Sequence, residues 1–147
     1  MRRLMAAIVI LLGSSLLVAE NSNPLLTPDD FVASMKALGR NFTKVNSLIA
    51  TGDYDSAKQQ LARCREGLAT TISYWRAPER NDAIKMLRDG VAKMDALDAV
   101  LSREKVDPAS AAEATRQVAS ACQSCHAAYR EQNARTGTYT FKKGPAQ

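Results

Sequence analysis

The chain has 147 residues, 46% of them hydrophobic and 24% charged, with a net charge of +5. That length suffices for one domain with a real core. Aromatic residues make up only 5% and no basic arm is present, so nucleic-acid binding has no support.

Residues 1–19 read as an export signal. Arg2 and Arg3 form a charged start, Leu4 to Val18 is an apolar run broken only by Gly13-Ser14-Ser15, and cleavage is expected after Ala19. Leu17, at the minus-three position, departs from the small residue usual there. The run is shorter than the ~20 residues that span a bilayer, which argues against an uncleaved anchor. No cysteine sits at the cleavage point, so a lipoprotein is not expected. The predicted location is the periplasm, with no membrane attachment after cleavage. The charge then falls to +3, since Arg2 and Arg3 are the only charges removed.

The remainder divides into four helical segments, at about 28–51, 54–75, 82–104 and 108–134. Thr27-Pro28-Asp29-Asp30 is a start signal: a capping hydroxyl, a proline at the first position and acids at the positive end of the helix dipole. The stripe Phe31, Met35, Leu38, Phe42, Val45 and Leu48 or Ile49 steps by fours and threes, and Gly52 ends it. Asp53 opens the second segment, whose stripe is Ala57, Leu61, Cys64, Leu68, Ile72 and Trp75; Pro78 bars its continuation. Asn81 or Asp82 is the expected cap of the third, with the stripe Ile84, Leu87, Val91, Met94, Leu97 and Leu101. Gly90 inside it costs ~1 kcal/mol relative to alanine. Asp107-Pro108 repeats the cap-plus-proline start, and the fourth stripe is Ala111, Thr115, Val118, Cys122, Cys125 and Tyr129. Four amphipathic helices with short loops predict an all-α, antiparallel up-down-up-down bundle occupying 20–135. The tail 136–147, with Gly137, Lys142-Lys143, Gly144 and Pro145, is expected to be mobile.

The fourth segment carries Cys122-Gln123-Ser124-Cys125-His126. A C-x-x-C-H spacing reads as a site of covalent haem attachment. The two thiols add across the two vinyl groups, and the histidine, the only one in the chain, is placed to ligate the iron. A dithiol redox site would expect a strand–helix unit around the motif, and no strand pattern surrounds it. A structural zinc site needs four ligands, usually in two pairs, and Cys64 stands alone far upstream. Small residues dominate this helix face, leaving volume for a flat macrocycle. Cys64 itself reads as a small buried hydrophobe.

With these residues in view, Cys122-Gln123-Ser124-Cys125-His126-Ala127-Ala128-Tyr129-Arg130 resembles the C-terminal signature of class II c-type cytochromes, the cytochrome c′ family. Met35-Lys36-Ala37-Leu38-Gly39-Arg40-Asn41-Phe42, followed by Gly52-Asp53-Tyr54-Asp55, is similar to the opening helix and loop of its low-spin members. The likeness covers about 28–132. It implies an exported four-helix bundle with one haem c per subunit, held by Cys122 and Cys125. His126 is then the proximal ligand and Met35 the distal one, with Met94 in reserve. Tyr129 and Arg130 would belong to the haem environment, Arg130 beside the proximal histidine. Where many five-coordinate members carry an arginine one turn before the distal position, this chain has Phe31. The implied function is single-electron transfer with unidentified redox partner proteins, not enzymatic catalysis, and a homodimer is implied by resemblance alone. The alternatives are a five-coordinate protein binding nitric oxide or carbon monoxide, and a haem-based sensor.

Overall fold

The computed structural model describes residues 26–76 and 79–142. The expected signal 1–19, Pro78 and the last five residues lie outside them. The chain forms four α-helices followed by a small two-stranded sheet: α1 Pro28–Ala50, α2 Tyr54–Arg76, α3 Asn81–Leu101, α4 Pro108–Tyr129, β1 Arg130–Gln132 and β2 Tyr139–Phe141.

Local chemistry explains most of the helix ends. The Thr27 hydroxyl accepts the Asp30 N–H at 3.2 Å and donates to the Asp30 carboxylate at 2.6 Å. At the other end of α1 Gly52 adopts φ +75°. Its N–H reaches the Ile49 carbonyl at 3.1 Å, and the Asp53 N–H reaches Leu48 at 3.0 Å. This pair of bonds satisfies carbonyls that a helix end leaves free, and it needs the left-handed conformation that glycine adopts without strain. The Asp53 carboxylate accepts the Ser56 N–H at 3.1 Å, opening α2. Asp107 accepts the Ser110 N–H at 2.8 Å, opening α4 with Pro108 at its first position.

The start of α3 corrects the sequence reading. Neither Asn81 nor Asp82 caps it; the cap position is Arg80, which makes no side-chain capping bond. The helix begins at Asn81, which places Asp82 inside its first turn, and the Asp82 carboxylate binds Arg80 and Tyr129.

Each helix packs against the next, α1 on α2, α2 on α3 and α3 on α4, while the seam between α1 and α4 is thin. Leu61, Met94, Leu97, Val45, Val118, Thr71 and Cys64 are the largest fully buried side chains. Thr71 meets its polar obligation by donating to the Leu68 carbonyl at 2.6 Å. The stripes are shifted slightly from the sequence expectation: Thr71, Ala83, Gly90 and Ala121 are buried, while Ile72, Ile84 and Val91 are half-buried. Gly90 has a packing reason. A β-carbon there would lie 3.0 Å from Leu68 Cδ2, so its helix-propensity cost accompanies a close approach of α2 and α3.

Three expectations about element ends are overturned. The third helix stops at Leu101 rather than 104, and the fourth at Tyr129 rather than 134. The ordered fold also continues past 135, and the expected mobile tail contains a strand. β1 and β2 pair antiparallel with Arg130 opposite Phe141 and Gln132 opposite Tyr139. The connection is closed by Asn133, whose carboxamide oxygen accepts the Arg135 and Thr136 N–H groups, and by Gly137 at φ +68°. Phe141 holds the hairpin down. Its ring lies 5.4 Å from Phe31, 5.5 Å from Tyr74 and 5.8 Å from Trp75. Lys142 adds an N–H bond to the Tyr129 carbonyl at 2.9 Å and an ammonium bond to the Ala127 carbonyl at 2.6 Å. A lysine-rich, glycine-containing end suggested mobility, but it ends against an apolar cluster that rewards ordering it. Among the described residues no helix is long and apolar enough to cross a membrane.

Replacing Gly90 with leucine should destabilise the fold by about 1–3 kcal/mol through overpacking against Leu68; a denaturant titration that superimposes on wild type would contradict the close approach. Phe141→Ala should cost about 1–2 kcal/mol, roughly half the value of a fully buried phenylalanine. It should also speed amide exchange in Arg130–Gln132, and protection unchanged there would show that the hairpin does not rest on this ring.

Candidate functional site

Cys122, Cys125 and His126 occupy the last turns of α4, and all three are half-buried. Unbroken helix through Tyr129 puts Cys122 and His126 on one face, four residues apart, with Cys125 on the adjoining row. Cys122 packs against the core directly.

Burial favours the neutral forms of this motif. It raises the thiol pKa of Cys122, and that of Cys125 as well, with further upward pushes from Cys122 and Asp82. Reactive dithiols work through a depressed thiol pKa in an electropositive setting, and the shift here runs the other way, toward neutral thiols. His126 is shifted down, first by burial and then by the positive charge of Arg130. Its imidazole is therefore neutral near pH 7, the form that can donate a lone pair to a metal. Cys64, fully buried on α2, is pushed up to about 11 by burial and by Cys122; it behaves as a small apolar side chain. Among the described residues no three His, Cys, Asp or Glu side chains converge to hold an ion, so the motif has no ready-made set of protein donors for a zinc-type cage.

The end of α4 is clamped from two sides. Tyr129 packs its ring 4.8 Å from Trp75. Its hydroxyl donates to the Asp82 carboxylate and accepts from Arg80 Nη2 at 3.0 Å. The Arg80 guanidinium lies 4.9 Å from the Tyr129 ring centre and pairs with Asp82 at 3.0 Å. Arg80, then Tyr129, hold the Asp82 carboxyl well below the usual range, while burial and then the Asp82 bond raise the Tyr129 phenol. On the other side Arg130 is the C-cap of α4. Its backbone N–H bonds to the His126 carbonyl, and its guanidinium sits 4.2 Å from the Tyr139 ring centre, a cation–π contact across the hairpin.

The remaining sequence candidates are spread over two helices. Met35 is half-buried on α1, one turn after Phe31, and packs against the core. Met94 is 1% exposed on α3. Met86 lines a groove of ≈ 350 Å³ between α3 and α4 with Asp82, Lys85, Asp89, Ala121 and Ser124. Sequence reasoning missed Arg80, Asp82, Tyr139 and Phe141 as neighbours of the motif. Asp82 and Tyr129 are 47 positions apart, and no local pattern encodes their contact. The hairpin did have a signal, since Tyr139-Thr140-Phe141 follows Asn133 and Gly137, a turn ahead of β-forming residues. Trp75 is 5% exposed, and among the described residues its indole N–H is buried without a hydrogen-bond partner.

Comparison with protein-family models, with curated proteins and with solved structures found no match.

The Asp82 cluster makes a pH prediction. Its folded-state pKa is depressed, so its stabilisation is present above the ordinary aspartate pKa of about 3.9 and is lost as the pH falls below it. Asp82→Asn should melt at lower temperature than wild type at pH 7, and the gap should close in acid. Melting curves that run parallel from pH 7 to pH 2 would refute this role.

Proposed function

We propose that this chain is an exported monohaem c-type cytochrome of the class II kind that passes single electrons between partner proteins. It would hold one haem c through thioethers from Cys122 and Cys125, and His126 and Met35 would ligate its iron. The observation that carries the reading is the C-x-x-C-H motif on the last bundle helix. There two neutral thiols and a neutral imidazole are half-buried on a face whose other residues are alanine, threonine and valine up to Tyr129.

The residues fit such a group. Burial favours the un-ionised thiols and the unprotonated imidazole, and the buried Trp75 indole N–H lacks an acceptor among the described residues. The seam between α1 and α4, Met35's helix and His126's, is the thin one. Short loops between successively packed helices support an up-down-up-down arrangement. When bound, the haem iron supplies a one-electron ferric–ferrous couple. The chain's own part is to keep ligand geometry constant and water out. The Tyr129–Asp82–Arg80 cluster pins the helix end that bears His126, Arg130 sets a positive charge beside the imidazole, and the Met35 thioether raises the reduction potential by favouring the ferrous form. No nucleophile or general base is required of the protein. Residues 1–19 deliver the chain to the periplasm in this reading, and a homodimer is part of it.

The protein purified from periplasm should carry the mass of one haem under denaturing conditions. Cys122→Ala together with Cys125→Ala should abolish that mass; covalent haem retained in the double variant would defeat the assignment. Wild type should be low-spin in both oxidation states, with a methionine–iron charge-transfer band. Met35→Ala should turn high-spin and gain carbon monoxide binding. A high-spin wild-type spectrum would favour the gas-binding or sensing alternatives, and an unchanged Met35→Ala spectrum would move the sixth ligand to Met94.

A further inference from the structure

Trp75 is the only tryptophan in the chain, and its environment is unusual in one respect. The ring is enclosed by aromatic neighbours: Tyr129 at 4.8 Å, Tyr74 at 5.1 Å, Phe31 at 5.6 Å and Phe141 at 5.8 Å between ring centres. Its backbone carbonyl accepts the Arg80 N–H at 3.0 Å. The indole N–H is a donor only, and here it is buried with no acceptor among the described residues. A buried donor without a partner is costly, so the nitrogen calls for an acceptor.

The neighbours say where that acceptor would lie. Phe31 precedes Met35 by one helical turn on α1, and Tyr129 follows Cys125 by one turn on α4. Trp75 touches both, and so it stands at one end of the thin α1–α4 seam. The aromatic side chains around it offer few acceptors. The Tyr129 hydroxyl is already engaged by Asp82 and Arg80, the Tyr74 hydroxyl makes no hydrogen bond to the indole, and Phe31 and Phe141 have none. A macrocycle attached at Cys122 and Cys125 brings carboxylates as its strong acceptors. Resting on the haem reading above, we infer that the Trp75 indole N–H donates a hydrogen bond to a propionate carboxylate of the attached haem. Trp75 is then a cofactor-binding residue contributed by α2, an element that the motif does not include.

The indole N–H gives a single, unambiguous resonance in this chain. In ferrous, diamagnetic holoprotein it should show nuclear Overhauser contacts to the propionate methylene protons, and its exchange with solvent should be slowed. Contacts to protein protons alone would overturn the inference. Trp75→Phe retains the ring packing and should still attach haem. Losing the donor leaves the propionate charge less compensated, which favours the ferric state, so the reduction potential should shift downward. Haem-bearing Trp75→Phe with the wild-type potential would overturn this inference while leaving the proposed function intact. Wild-type chain isolated without covalent haem would overturn both.

Discussion

The Tyr129 side chain holds together the part of the molecule on which everything else depends. α4 contributes little apolar bulk of its own; Ala111, Val118 and Ala121 are its buried residues. By area alone such a helix is weakly held, since each alanine buries little surface. What locates its last turn is a composite contact. One ring lies against Trp75 of α2, while its hydroxyl is shared between Asp82 and Arg80 at the start of α3. Directional bonds from a charged pair to a phenol fix a position more sharply than packing does. The motif Cys122–His126 ends one turn earlier and inherits that position.

The hairpin of β1 and β2 extends the same logic. It would be marginal as an isolated pair of strands. It persists because Phe141 enters the cluster of Phe31, Tyr74 and Trp75, and because Lys142 binds carbonyls at the end of α4. The strands then carry Arg130, next to His126, under the Tyr139 ring. The end of the bundle that bears the motif is thus the one to which α2, α3, α4 and the hairpin all contribute aromatic or charged groups. The other end is closed by ordinary leucine packing, with Leu97 and Leu101 buried there.

Features that depend on near neighbours in the chain were legible in the sequence. Thr27, Asp53 and Asp107 cap their helices because a cap is a contact over three residues. Gly52 ends α1 because only a few positions must adopt a left-handed conformation. The apolar stripes gave most of the core, and they erred by one position where a small residue, such as Ala83 or Gly90, allowed closer approach. The start of α3 was misread because the helix begins at Asn81, which places Asp82 inside its first turn, where its carboxylate binds a distant tyrosine and an adjacent arginine. The tail was misread because its composition is polar while its one decisive residue, Phe141, works through partners on α1 and α2.

Sequence alone determined the chemistry on offer: two thiols three apart and one imidazole on a helical segment, with methionine on the stripe of another. Spacing along a regular helix dictates which side chains share a face, whatever the helix packs against. Only the tertiary structure decided how those groups are held. It favoured the neutral thiols and imidazole further by burying them, and it joined Tyr129 to Asp82 and Arg80. It folded the tail over the end of α4 and left the Trp75 N–H without an acceptor among the described residues. Desolvation and long-range hydrogen bonding arise only when distant segments meet, so no local pattern in the C-x-x-C-H motif could have carried them.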